Sequence, residues 1–371
     1  MIKFKTQLFV SLLERIVIIL ISLSSFISCE SQTADISNSY NYKIFNKETF
    51  DGFPDTTWSR YHDIYSEGWS EKGLIRAKKY YDKIGSAAAI LIHNGAVVVA
   101  WGDVKEKYWV HSIRKSFLFS MYGIHEYKGN IDLNKTIGEL GINDKDSLSE
   151  MEKQAKIIDL LKSRSGIYHP AANESQEMEN LRPARQSHKP GEFWYYNNWD
   201  YNVLGVIFEQ ETQTRIFEEF HRRVAIPIQM EDFDVSDGRY THDPEKTNHP
   251  GYPIIMSAND MARFGLLYLN NGKWKDKQII PQDWIKKATT IYSHGWGNGI
   301  GFKWDIKIDG SLKKYGTYKT SGWAGHTIMV IPKLNMVFIH RTNTFDRQNY
   351  VTHKEYEKLV KKIIRSYHPL K

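Results

Sequence analysis

One cysteine, Cys29, is all that 371 residues contain, so the chain can form no internal disulfide and no thiolate zinc site. Cysteine-hydrolase chemistry is excluded with it. Lys and Arg number 50 against 43 Asp and Glu, yet no long basic block gathers them, so a net charge of +7 leaves no nucleic-acid footprint. No His-x-x-x-His or His-Glu-x-x-His pair is present; His169, His188, His294 and His326 could approach one another in the fold, but without such a pair no metal is expected. A Gly-x-Ser-x-Gly elbow is missing, which leaves a Ser-His-Asp triad without support. Internal repeats and low-complexity tracts are missing too.

What is present is a globular composition: 41% hydrophobic, 25% charged, with 22 Tyr and 11 Trp to furnish a large core and an adhesive cleft. Lys3, Lys5 and Arg15 precede an apolar run over 16–27, too short to span a bilayer and suited to a signal-peptide core. The run ends in Phe26-Ile27-Ser28-Cys29, which resembles a bacterial lipoprotein signal. We therefore expect a signal peptide over 1–28, a lipid on Cys29, and a membrane-anchored protein of the cell envelope. Residues 29–70 read as a tether and irregular lead-in. Residues 71–371 read as one domain, with an α/β lobe from 71–110 plus 255–371 and a helical lobe over 111–254.

Within that domain, two apolar runs, 87–92 and 96–101, flank His93-Asn94-Gly95. Asn-Gly accepts the positive φ of a tight hairpin turn, so a hairpin is predicted. Helices are predicted over 74–83, 112–127, 147–161, 198–211, 214–224, 258–269 and 350–367. A capping box is offered by Ser147 with Glu150, or in a competing register by Ser149 with Glu152, and Gly166 is the expected stop. Strands are predicted over 302–308, 325–331 and 336–341. Strands, many helices, strands, then a helix describe an α/β (α+β) fold: an antiparallel sheet formed by both chain ends, with an inserted helical lobe. The alternating Gly295, Gly297, Gly299 and Gly301 read as a loop.

The chemistry sits in Ser112-Ile113-Arg114-Lys115 and Tyr196-Asn197-Asn198. Residues i and i+3 share a helix face, so Ser112 and Lys115 can touch. Among Ile113, Phe117 and Leu118 a lysine is poorly hydrated and favours its neutral form, a plausible base for a serine hydroxyl. Tyr196 could pass the proton to a leaving group, and Asn198 could hold Lys115 or a substrate amide. Ser-x-x-Lys alone is weak, since about two matches arise by chance in a chain of this composition. A second copy, Ser311 with Lys314, follows Asp309-Gly310 in polar surroundings and reads as a solvated hairpin tip.

Further motifs extend the pattern in order: Leu160-Leu161 before Ser165-Gly166-Ile167, Leu204-Gly205, Pro227 to Met230, Met256-Ser257-Ala258, Arg263-Phe264-Gly265 and Gly322-Trp323-Ala324-Gly325. Over about residues 75–371 the chain resembles the β-lactamase-related serine hydrolases: class C β-lactamases, D-alanyl-D-alanine carboxypeptidases, and esterases and nylon-oligomer hydrolases of that fold. The resemblance implies an acyl-enzyme on Ser112, with Lys115 and Tyr196 as base and acid. Leu204-Gly205 selects Tyr196 with Asn198 over Tyr195 with Asn197. The resemblance further implies substrate contacts at Asn198, Trp323, Gly325 and His326, and an oxyanion hole from the backbone N–H groups of Ser112 and His326. The family's third element, Lys-Thr-Gly or His-x-Gly on a cleft strand, is matched to Trp323-Ala324-Gly325. This removes a substrate-binding cation and turns the expectation toward the esterase and nylon-hydrolase branches. Arg341 is a candidate replacement for that cation.

The expected function is hydrolysis of a small-molecule ester or amide without a cofactor. A true β-lactamase or D-alanyl peptidase, or a non-catalytic scaffold lipoprotein that keeps the fold, are the alternatives. The leader generates its own test: Cys29→Ala should move the protein from the membrane pellet to the soluble fraction. Unchanged fractionation with an N-terminus at Met1 would make the segment an uncleaved anchor.

Overall fold

The computed structural model describes residue 40 and residues 42–346 and 349–369. The expected leader over 1–28 and the lipidation site Cys29 lie outside the described residues.

Among the described residues ten strands form one sheet. In chain order they are β1 (Lys43–Ile44), β2 (Ser59–Arg60), β3 (Ala88–His93), β4 (Ala96–Gly102), β5 (Ser293–Gly295), β6 (Asn298–Ile300), β7 (Asp305–Ile306), β8 (Tyr318–Ser321), β9 (Thr327–Ile331) and β10 (Met336–Arg341). Their spatial order is β1-β2-β4-β3-β10-β9-β8-β7-β6-β5. The centre is where the two chain ends meet: β10 runs antiparallel to β3 from Met336 opposite His93 to Arg341 opposite Ala88. Every residue of β3, β9 and β10 is buried, which is why these strands read as continuous apolar runs rather than alternating ones.

The β3–β4 hairpin turns at Asn94 (φ 49°) and Gly95 (φ 81°), the left-handed pair that a two-residue loop requires. Five longer helices surround the sheet: α1 (Glu71–Lys83), α2 (Arg114–Tyr127), α3 (Asn198–Thr212), α4 (Ala258–Leu269) and α5 (His353–Ile364). Helix α4 packs on β3, β9 and β10, and α1 packs on α5. Helix α2 is buried from Arg114 through His125, as its apolar circumference demands. A short antiparallel pairing of Tyr108–Trp109 with Ile255–Met256 draws together the residues that flank the stretch carrying α2 and α3.

The fold differs from the sequence reading at several points. Residues 43–44 and 59–60 of the lead-in extend the sheet, and β1–β2 and β2–β4 pair in parallel, so the sheet is antiparallel only beyond that edge. The helix expected over 147–161 is two pieces, a turn at Glu152–Gln154 and a helix at Ile157–Leu161, because Ala155 is extended (ψ 135°). The Ser149 register of the cap is the one formed: Ser149 N–H donates to Glu152 at 2.8 Å. Ser163, at φ 55°, and not Gly166, follows the end of that helix. The helix expected over 214–224 is Ile216–Phe220 continued by a wider turn over His221–Ala225. Strand β7 is far shorter than the expected 302–308, because Lys303 turns left-handed (φ 62°). The alternating glycines form the β5–β6 hairpin, and Ser311 lies in a helical turn, Gly310–Lys313, between β7 and β8.

A methyl group on Gly95 would stand 1.8 Å from the Gly52 carbonyl oxygen, in addition to its positive φ. Gly95→Ala should therefore lower stability by roughly 1–3 kcal/mol, read as a drop in denaturation midpoint. An unchanged midpoint would mean that the turn is not held in this conformation.

Candidate active site

Ser112 lies in a single turn, His111–Ile113, that runs into α2. Lys115 is one turn further along, and the i, i+3 spacing puts its amine back over Ser112: Nζ lies 3.0 Å from Ser112 Oγ. The partner residues arrive from the N-terminus of α3. Asn197 caps that helix, its side chain accepting from Trp199 N–H at 3.0 Å and donating to the Ile167 carbonyl at 2.6 Å. Ser165 Oγ donates to Asp200 at 2.6 Å, while burial holds the Asp200 carboxyl well above the usual carboxylate range. These bonds fix the residues on either side of Tyr196.

The outcome is a closed cluster. Tyr196 OH is 2.7 Å from Ser112 Oγ and 2.6 Å from Lys115 Nζ, and Asn198 Oδ1 accepts from Lys115 Nζ at 2.7 Å. Tyr195 points elsewhere, donating to the Met178 carbonyl at 2.6 Å, so the geometry selects Tyr196 and Asn198 from the two registers. Lys115 is 1% exposed and also faces the Tyr201 ring. Burial, then the charges of Arg114 and Lys303, push its amine well below the ordinary lysine value. Burial likewise drives the Tyr196 phenol up, so it remains a proton donor.

The other expected contacts have different positions. Asn198 is engaged at both ends of its amide, since Nδ2 donates to the Asn173 carbonyl at 2.7 Å, which makes it a holder of Lys115. Trp323, Ala324 and Gly325 form a turn after β8, because Ala324 (φ 61°) and Gly325 (φ 95°) leave extended geometry. The strand that reaches the cluster instead ends in Lys319-Thr320-Ser321, where Thr320 Oγ1 accepts from Ser116 at 2.8 Å. Trp323 stands on the rim, 51% exposed and edge-on to His111. Gly325 is buried against the Val351 carbonyl, and the His326 ring is buried too. Among the described residues, neither the Ser112 nor the His326 backbone N–H donates to a backbone carbonyl.

Arg341 is no surface cation and is not directed at the cluster. It is fully buried, donating from Nε to His326 Nδ1 at 2.9 Å and from its other nitrogens to the carbonyls of Met256 and Tyr108 at 2.5 and 2.7 Å. His111, at φ 49°, bonds Thr344 Oγ1 at 2.9 Å, and burial pushes its imidazole down to about 4, so it stays neutral beside Ser112. The four histidines that could have approached one another have separate partners: His326 packs against His111, His169 meets Glu152, His188 meets Tyr168, and His294 lies in β5 opposite Gly299.

Two features had no place in the sequence reading. Trp296 forms the tip of the β5–β6 hairpin in the left-handed region (φ 49°), 64% exposed, with its ring 5.2 Å from that of Tyr196. Lys303, 7% exposed, lies behind Tyr196. A separate surface cavity bounded by Ile124, Trp284 and Tyr292 contains none of the site residues.

The sheet of joined chain ends flanked by helices is the fold of the serine β-lactamases and penicillin-binding proteins, and the bonded serine, lysine and tyrosine lie beside it. The chain belongs to the Beta-lactamase family, whose model matches residues 73–362. A putative 6-aminohexanoate-dimer hydrolase from Bacillus anthracis shares the fold with a TM-score of 0.60 and 21% identity, over 78% of this chain and 80% of that one. EstCE1, described as a hydrolase with promiscuous acyltransferase activity, aligns with a TM-score of 0.55 and 16% identity, over 80% and 97%. An uncharacterised protein of Alkalihalophilus pseudofirmus is 23% identical over 314 residues, covering 73% of this chain and 88% of its own.

The arrangement around Arg341 makes it structural. Arg341→Met should cost about 2–5 kcal/mol of stability by leaving buried acceptors unpaired, as measured by denaturant unfolding. A stable variant that instead loses affinity for carboxylate-bearing esters would return Arg341 to the substrate site.

Proposed function

We propose that this chain is a serine hydrolase that forms an acyl-enzyme on Ser112 and hydrolyses a small ester or amide. The observation that supports it best is the hydrogen-bond circuit of Ser112, Lys115 and Tyr196. A neutral amine has two N–H donors and one lone pair. Lys115 then donates to Asn198 Oδ1 and Tyr196 OH, Tyr196 donates to Ser112 Oγ, and the Ser112 proton points at the Lys115 lone pair. Each proton has an acceptor, and the serine proton is aimed at the base.

In the forward step Lys115 takes the Ser112 proton as Oγ bonds to the substrate carbonyl carbon. The carbonyl oxygen becomes an anion, met by the backbone N–H groups of Ser112 and His326. The bond to the leaving group breaks, and the proton held by Lys115 reaches it through Tyr196. Water then attacks the acyl-enzyme and the proton path runs in reverse. The exposed indoles of Trp296 and Trp323 suit an apolar portion of the substrate. In the same reading the enzyme works in the cell envelope, tethered through Cys29.

A fluorophosphonate probe should leave its adduct on the Ser112 peptide, by mass spectrometry, and Ser112→Ala should abolish it. An undiminished adduct in that variant would sink the assignment, and failure of the wild type to label would favour a scaffold that has lost turnover. Tyr196→Phe should lose roughly two to four orders of magnitude in kcat. Lys115→Arg keeps the charge but cannot deprotonate, so it should fold and be nearly inactive. Because the base works only when neutral, acylation by the wild type should fall as pH drops through the depressed Lys115 value and be flat above it. A flat profile across that range would exclude lysine as the base.

A further inference from the structure

Lys303 is a buried lysine that the hydrolytic cycle above does not use. It occupies the bend between β6 and β7, with a positive φ of 62° that lysine rarely adopts. The bend is closed by its N–H on the Gly301 carbonyl at 3.0 Å and the Gly301 N–H on the Trp304 carbonyl at 2.8 Å. The side chain is 7% exposed. An ammonium has three donors, but among the described residues this one makes a single hydrogen bond, 3.3 Å to the Ser321 carbonyl, and no ion pair. Its other neighbour is the face of the Tyr196 ring, with Nζ 5.6 Å from the centroid. An ammonium taken out of water with so few partners is costly, and a strained backbone adds to the cost; burial lowers its hold on the proton, while the nearby Asp305 carboxylate acts to keep it charged. Such features gather where charge serves the chemistry.

We propose that Lys303 is a positioning residue of the Ser112 site: a positive charge over the Tyr196 ring that favours the neutral form of Lys115 and offsets negative charge on the Tyr196 oxygen during proton transfer. The proposal rests on the Ser112, Lys115 and Tyr196 reading. It places a cation beside the cluster from the neighbouring bend, although the cleft strand contributes Thr320 and Ser321 next to Gly322. The charged and titratable groups around the pair are few. Lys115 faces Arg114, Tyr196, Tyr201 and Lys303; Lys303 faces Tyr196, Asp305, Lys319 and Arg114, with His353 further out. Lys319 is itself neutralised by bonds to Tyr356 and Glu357 at 2.7 and 3.1 Å, and Arg114 is turned toward Asn202 and the Tyr252 ring. Lys303 is therefore the second lysine amine over the Tyr196 ring, while the charges of Arg114 and Asp305 act on that phenol in opposite senses.

The sign of its effect is fixed. A nearby positive charge opposes protonation of Lys115, so removing it lets Lys115 hold its proton to higher pH. The experiment is the pH profile of acylation by a neutral p-nitrophenyl ester for the wild type, Lys303→Met and Lys303→Arg, with Ser112→Ala as the blank. Lys303→Met should move the acid limb to higher pH and lower the plateau kcat by roughly 10- to 100-fold with KM little changed. Lys303→Arg should restore the limb. Thermal midpoints separate a structural role, because methionine in place of a poorly paired buried charge should not lower the midpoint. An active wild type with an unmoved limb and plateau in Lys303→Met overturns the proposal alone, as does a loss confined to KM or a lowered midpoint without a limb shift. A wild type no faster than Ser112→Ala overturns the proposal together with the hydrolase reading.

Discussion

The amine of Lys115 has to sit in a nearly waterless pocket against Ser112, Tyr196 and Asn198, and most of the molecule is arranged to keep it there. Burying an ammonium costs on the order of several kcal/mol, so the group sheds its proton instead. That loss has a thermodynamic sign. The unfolded chain holds the Lys115 proton up to the ordinary lysine value and the folded chain releases it earlier. Between the two values the unfolded state binds more protons, and folding stability rises with pH. The site is thus maintained at the expense of stability at neutral pH, and the sheet and helix packing must supply the difference.

That supply comes from both chain ends. The hairpin of β3 and β4 is useful only when β10 closes on it, and α4 covers the seam. Helix α2 enters the core directly after β4 and the short pairing at Tyr108–Trp109, so Ser112 is presented where the sheet ends. The opposing side is less regular. The loop at Ser165 and the N-terminus of α3, through Asn197 and Asp200, carry Tyr196 to Ser112 by side-chain bonds rather than through a ladder. Arg341 anchors the sheet side of the site by tying His326 to the carbonyls at Tyr108 and Met256.

Much of this was legible in the sequence where a local rule governs. Asn94-Gly95 dictated a hairpin because few residue pairs accept that turn, and the i, i+3 spacing put Lys115 on Ser112. The residues that escaped were governed by long-range packing. Nothing local distinguishes Lys303 from a surface lysine; its burial follows from β7 lying next to β8, and its left-handed bend interrupts a run that reads as strand. Trp296 was hidden in the same way, inside a glycine pattern that gave no sign of a hairpin tip over Tyr196. Arg341 at a strand end looked free because the carbonyls that surround it come from residues more than 80 positions away. Two helical turns were merged into one because apolar spacing carries through Ala155, whose extended backbone periodicity cannot reveal.

The central claim is that Lys115 is neutral near neutral pH in the resting protein. Titration of lysine side-chain nitrogens by nuclear magnetic resonance in lysine-labelled protein tests it most directly, with the Lys115 signal identified by its loss in Lys115→Arg. The account predicts that this one signal changes protonation state well below the pH range of the surface lysines. A Lys115 signal that remains an ammonium up to the ordinary lysine range, about 10.4, would contradict it.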